Sequence, residues 1–307
     1  MQQLPTYSVA IRTLGKAGEK YLTTLKTCAT QTHKPEKIVV YLAEGFDKPK
    51  ETIGIEQIVY VKKGMIAQRA LSYDEISSEY ILCLDDDVEL SPDSVERLFA
   101  GLLEYAGDCI THAVSGHQHK SFFKKAVQAL DGVYPHWHKN WGVIVKSNSF
   151  FSYNNHPIKN VLPTQSLHGT VALVRKSAML AIHFEDEEWM DAYGYALGDD
   201  QVMGNKLYKN GYKLLVHYNS GIKHLNACTS HHRPSWQKEE YLGELRTLLF
   251  YRTCYDLKHN TAIKRLWCGF TFALQLIPST IFCLLYAIKS RSFNPFGYLQ
   301  GVAVGGG

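Results

Sequence analysis

The sequence predicts an α/β fold with a mainly parallel central sheet flanked by helices, followed by a helical tail. Three observations point there. Apolar runs of strand length alternate with runs of helical spacing over residues 7–108. The segment Tyr80-Ile81-Leu82-Cys83-Leu84 reads as a strand buried on both faces, and it ends in Asp85-Asp86-Asp87. A second acidic pair, Asp199-Asp200, opens an amphipathic run that stops at Asn210-Gly211. Strand–helix alternation of this kind implies right-handed βαβ units.

Taken in order, Tyr7–Thr13 is a strand, Gly15–Gly18 a turn and Tyr21–Gln31 a helix. Ile38–Leu42 and Gln57–Val61 are strands, and Met65–Ser77 has helical spacing. The strand Ile81–Leu84 follows, then a helix over Pro92–Tyr105 with a stripe at Val95, Leu98, Phe99 and Leu102. Residues 109–165 are rich in His, Trp, Tyr, Asn and Lys, as a binding loop often is, with strands at Ala113–Gly116 and Gly142–Lys146. Order returns with a strand at Thr170–Arg175, helices at Ser177–Phe184 and Asp200–Asn210, and a strand at Lys213–His217. The expected division is a catalytic domain over 1–235, with halves 1–108 and 109–235, and a helical tail over 236–307.

Composition narrows the function. A net charge of +4 over 307 residues argues against a dedicated nucleic-acid binder. The N-terminus is expected to carry no secretory signal, since Val9-Ala10-Ile11 is too short for its apolar core. The seven cysteines form no CxxC pair and read as reduced, buried thiols in the cytosol. The run 266–288 carries no charged residue and is long enough to cross a bilayer. Gln275, Pro278, Ser279 and Thr280 interrupt it, and Lys and Arg lie on both sides. Interfacial or re-entrant attachment, a true span, and a soluble appendage all remain open.

The acidic clusters carry the chemistry. Three carboxylates in a row repel one another, and Mg²⁺ or Mn²⁺ removes that cost while leaving room for substrate phosphates. At the C-terminal edge of a strand they stand where open α/β sheets bind ligands. The rival reading is a solvated loop with Asp87 or Ser91 capping the next helix. Asp199-Asp200 fits either a helix cap or a positioned general base whose pKa is raised by a like charge or an apolar wall. His224, in Gly221-Ile222-Lys223-His224-Leu225, can complete a metal shell opposite Asp87 or be a plain surface histidine. Trp189, Tyr193 and Tyr195 offer aromatic faces to a sugar ring, or simply fill core.

Residues 7–226 resemble the family 2 inverting glycosyltransferases of GT-A fold. The resemblance rests on Ser8–Thr13, on Gly64-Met65-Ile66-Ala67-Gln68-Arg69, and on Tyr80–Pro92 with its DxD strand. It continues through Gly169–Ser177, through Gly198-Asp199-Asp200 up to Gly211-Tyr212, and through His224. It implies Asp87 on the metal, Asp85 on metal or ribose, and Asp86, Arg12, Thr13 and Arg69 on the nucleotide diphosphate. It further implies Asp200 as catalytic base, Asp199 and the Gly169 strand on the acceptor side, and His224 on metal or diphosphate. The chain departs from the family pattern where the second strand commonly ends in Asp-Asp-Gly-Ser. Here it ends in Ala43-Glu44-Gly45, with Glu44 as the substitute. The Gln-x-x-Arg-Trp motif of processive synthases is absent from the sequence, although His231, His232, Arg233 and Trp236 suggest a cationic flap.

The expectation is therefore a Mn²⁺- or Mg²⁺-dependent transferase that moves one sugar from a nucleotide-diphospho-sugar to a glycan or lipid-linked acceptor. It would work at the inner face of a membrane, touched through 266–288. The rivals are a nucleotidyltransferase, of whose phosphate loop Gly15-Lys16-Ala17-Gly18 is a faint echo, and a non-catalytic nucleotide- or sugar-binding protein on the same fold.

Overall fold

The computed structural model describes residues 4–113, 138–154, 156–167, 171–194, 196–227, 235–252, 261–289 and 296–306. The chain forms two compact units. The first is Met1–Ser115, Pro157–Ala192 and Ala196–Ser230; the second is Gly116–His156, Tyr193–Tyr195 and His231–Gly307.

The first unit is built on an eight-stranded sheet. In chain order its strands are β1 (Tyr7–Thr13), β2 (Ile38–Ala43), β3 (Gln57–Val61), β4 (Tyr80–Asp85), β6 (Cys109–His112), β9 (Val161–Thr164), β10 (Ala172–Arg175) and β11 (Leu214–His217). In space they run β3-β2-β1-β4-β10-β6-β11-β9. The half from β3 to β4 is parallel throughout. β10 enters antiparallel to both neighbours, and β9 is antiparallel to β11, so the sheet is mainly but not wholly parallel. A separate ribbon pairs β5 (Val88–Leu90) with β12 (Ile222–His224) in antiparallel register.

Alternation along β1 and β4 sends Val9, Ile11, Leu82 and Leu84 into one core. The helices Glu19–Ala29 and Ser94–Tyr105 close it with Leu25, Cys28, Leu98 and Phe99. Each helix shows only one apolar stripe, and this sheet face is where that stripe goes out of water.

Two elements differ from expectation. The helix expected over Met65–Ser77 does not form. The backbone makes one turn, with Ala70 N donating to Ile66 O at 2.8 Å, and Tyr73 then takes a left-handed φ of 54°. The Tyr73 hydroxyl, buried, donates to Arg69 O at 2.7 Å, the carbonyl that a continuing helix would give to the Tyr73 N–H. A strand that the sequence reading did not place forms at Cys109–His112, where Thr111 and His112 are buried between β10 and β11 despite their polarity, whereas most of the strand expected at Ala113–Gly116 is not described. Residues 114–116 fall outside the described residues.

The second unit contains the hairpin β7 (Val143–Val145) and β8 (Phe151–Tyr153), with helices Ser235–Phe250, Ala262–Lys289 and Gly297–Gly305. The first and last of these helices meet backbone to backbone. A Cβ on Gly301 would stand 1.8 Å from Glu240 O, and one on Gly243 would stand 2.1 Å from Tyr298 O. Glycine is required at both positions by that approach.

Candidate active site

The C-terminal ends of the parallel strands β1 and β4 converge, and their register sets Arg12 beside Asp85. Arg12 Nε donates to Asp85 Oδ1, while Nη1 donates to Asp199 Oδ2 at 2.6 Å and to Met65 O at 3.1 Å. The Arg69 guanidinium lies 3.0 Å from Asp199 Oδ2 and 3.5 Å from Asp85 Oδ1. Two guanidiniums and two carboxylates thus close a ring of alternating charge. Burial of such groups is tolerable only when each faces an opposite charge. Burial pushes the Asp85 carboxyl up, but Arg12 and then Arg69 outweigh it and hold it below its ordinary value.

Asp86 and Asp87 turn elsewhere. The Thr13 hydroxyl donates to Asp86 Oδ2 at 2.5 Å and accepts the Gly15 N–H at 2.8 Å. Burial nevertheless lifts the Asp86 carboxyl to about 6. Asp87 Oδ1 meets His224 Nε2 at 3.0 Å, and Asp87 Oδ2 accepts the Ala227 N–H at 2.6 Å. The β5–β12 ribbon makes this meeting possible by pairing Val88 with His224. The bond to Asp87 raises the imidazole's pKa against the opposing effect of burial. On Asp87, burial acts upward, and the His224 and Ala227 hydrogen bonds bring the net shift below the ordinary value.

Do these residues fit a divalent ion? Two adjacent ligands of an octahedral Mg²⁺ or Mn²⁺ shell, each about 2.1 Å from the metal, lie about 3.0 Å apart. Asp87 Oδ1 and His224 Nε2 have that separation. Among the described residues no group of three or more His, Cys, Asp or Glu side chains forms a site unaided. An ion on this pair would complete its shell with substrate oxygens and water, a usual arrangement for Mg²⁺ on phosphates.

Asp199 and Asp200 open the helix Asp199–Lys209, entered through Gly198 at a left-handed φ of 92°. Asp199 is buried in the charge ring. Asp200 keeps partial solvent access, and its Oδ1 accepts the Gln201 N–H at 2.9 Å. Its carboxyl is pushed up to about 7, first by desolvation and then by the neighbouring Asp199 charge.

The remaining candidates are placed less centrally. Glu44 is exposed just beyond β2, its N–H bonded to Val61 O at 2.8 Å. Trp189 is half-buried, with its indole N–H donating to Glu187 Oε2 at 2.9 Å. Gly169, Tyr195 and Arg233 lie outside the described residues, as do His231 and His232.

Two residues that the sequence does not single out organise the site. Asp191 accepts the N–H groups of Ile66 and Ala67 at 3.1 and 2.9 Å, capping the turn that carries Arg69. Gly64 admits it, since a Cβ there would stand 2.1 Å from Asp191 Oδ2. Gln68 donates to both Thr13 O and Tyr41 O at 3.0 Å, joining the ends of β1 and β2. The only sequence signal for Asp191 is indirect: the Gly64–Arg69 turn lacks a capping side chain of its own.

The profile of glycosyl transferase family 2 matches residues 44–180. The whole fold is similar to that of GalNAc-T7, solved with UDP, GalNAc and Mn²⁺, at TM-score 0.50 and 12% identity. That alignment covers 95% of this chain, which spans 59% of the other. It is likewise similar to the mannosyltransferase PcManGT from Pyrobaculum calidifontis, solved with GDP-Man and Mn²⁺, at TM-score 0.52 and 12% identity. There the alignment covers 99% of this chain and 88% of the other. No curated protein matches the chain. The chain has a GT-A fold, and its residues 44–180 match glycosyl transferase family 2.

Proposed function

We propose that the enzyme transfers a single sugar, with inversion, from a nucleotide-diphospho-sugar to a glycan or lipid-linked glycan at the cytoplasmic face of a membrane. One observation carries this reading. Asp200, its carboxyl lifted to about 7, stands beside Asp199, which the arginines Arg12 and Arg69 tie to the DxD strand. A base poised near neutrality is thereby fixed next to the cationic groups that suit a diphosphate.

Asp200 takes the proton from the acceptor hydroxyl as that oxygen attacks the anomeric carbon. The bond from that carbon to the diphosphate breaks, and its electron pair leaves with the nucleotide. One displacement inverts the centre, and no protein nucleophile is required. Arg12, Thr13 and Arg69 line the strand ends on the donor side, with Asp85 holding both guanidiniums in place. Mn²⁺ or Mg²⁺, held by Asp87 and His224, would neutralise charge that grows on the leaving diphosphate.

The test is nucleotide release from a panel of UDP-, GDP- and dTDP-sugars, with Mn²⁺ or with EDTA. Slow hydrolysis of one donor, abolished by EDTA, is expected. Tight donor binding with no turnover in any acceptor mixture would favour a binding protein instead.

A further inference from the structure

The helix Ala262–Lys289 buries Cys268, Phe272 and Cys283, yet a second apolar stripe stays exposed. Trp267, Phe270, Leu274, Ile277, Ile281 and Leu285 recur at steps of three and four, so they share one face, and each is 51–61% exposed. The polar side chains point the other way. Thr271 Oγ1 donates to Ser147 Oγ at 3.0 Å, Asn148 Nδ2 donates to Gln275 Oε1 at 3.3 Å, and Ser279 is 1% exposed. In water a helix turns its apolar stripe inward. This one turns Cys268, Phe272, Thr271, Gln275 and Ser279 toward its own unit and still offers a full apolar stripe outward, which suits a hydrocarbon surround.

Charge agrees with a lipid partner. The helix carries no acidic residue, and Lys264, Arg265 and Lys289 stand at its ends, as suits anionic headgroups. The exposed Trp267–Phe270 ring pair, 5.9 Å between centroids, sits beside Arg265, where aromatic side chains favour the interface.

The neighbours of the helix decide how it lies. Twenty-eight residues extend about 42 Å at 1.5 Å each, long enough to cross. Yet Gln275, at its midpoint, is bonded to Asn148, in the turn of the two-stranded hairpin β7–β8. A crossing would bring that turn to bilayer depth. A two-stranded sheet has open edges, whose unpaired backbone groups hydrocarbon cannot satisfy.

For a transferase that works at a membrane surface, as proposed above, we propose that Ala262–Lys289 lies in the plane of one leaflet. Its Trp267–Leu285 stripe would sink into the acyl boundary, and the hairpin β7–β8 would stay on the aqueous side.

The test uses the full chain with phosphatidylglycerol/phosphatidylcholine vesicles. Trp267→Cys, Leu274→Cys, Ile281→Cys and Ile288→Cys are spin-labelled one at a time, and label depth is read from oxygen and nickel-chelate accessibility against the wild-type background. Similar shallow depths at all four positions are expected. Leu274→Asp/Ile281→Asp, a change on an exposed face that should leave folding intact, is expected to reduce co-sedimentation at least tenfold while donor hydrolysis without vesicles is retained. A depth profile deepest near 274 and shallow at 267 and 288 would overturn the in-plane placement in favour of a span. Unchanged co-sedimentation of the double variant, or labels that stay in water, would overturn the stripe as the lipid contact. Loss of donor hydrolysis in wild type would strike the catalytic reading alone.

Discussion

Replacing Asp200 by Asn should cost activity yet stabilise the fold, and the size of the gain can be worked out. A carboxyl lifted from 3.8 to about 7 is harder to ionise by about 4 kcal/mol, at about 1.4 kcal/mol per pH unit. Asp200 keeps some solvent access and shares the effect with Asp199, so about half of that, ~2 kcal/mol, is the expected gain. Asn keeps an oxygen for the Gln201 N–H and never ionises. The folded-state pKa lies above the unfolded one. The protonated form's contribution is therefore complete below the unfolded value, 3.8, and is lost as the pH rises through about 7. Circular-dichroism melts of wild type and Asp200→Asn from pH 4 to pH 8 measure this. The two should melt nearly together at pH 4, separate between pH 4 and 7, and stay apart above, with the variant higher by roughly 3 °C. A gap of constant size across the range, or a variant less stable at pH 8, would refute the assignment of a destabilised carboxyl at this position.

Other perturbations test the rest of the site. Asp199→Ala strands Arg12 and Arg69 with one shared carboxylate fewer, and the urea midpoint should fall by an amount worth about 3–5 kcal/mol. Asp191→Ala leaves the Ile66 and Ala67 N–H groups without their acceptor, costing about 1–3 kcal/mol in the same assay and lowering turnover by displacing Arg69. His224→Ala should raise the Mn²⁺ concentration for half-maximal donor hydrolysis at least about tenfold, read from a metal titration at fixed donor.

The fold was legible where periodicity is local. The boundaries of β1 and β3 match the residues Tyr7–Thr13 and Gln57–Val61, and the helix after β4 follows its Val95–Leu102 stripe. Met65–Ser77 misled because its apolar spacing is real, while the tyrosine hydroxyl that ends the turn acts through a side chain. β6 was missed because Thr111 and His112 are buried polar residues inside a strand, against the usual pattern. Within the site, the acidic residues stood out by composition, and the sequence reading set His224 opposite Asp87. Nothing near Arg12 announces Asp199, since that pair forms only when a strand end meets the start of a distant helix. Asp191 has no local signature at all, because what it serves is another segment's unpaired backbone.

The most direct test of Asp200 as the catalytic base compares wild type and Asp200→Asn for both donor turnover and donor affinity, the latter by titration calorimetry with Mn²⁺. Turnover should fall by about 10³-fold or more, since general-base catalysis contributes about 10²–10⁴-fold, while donor Kd changes less than about threefold. Turnover retained within tenfold of wild type, with the donor still bound, would contradict the account.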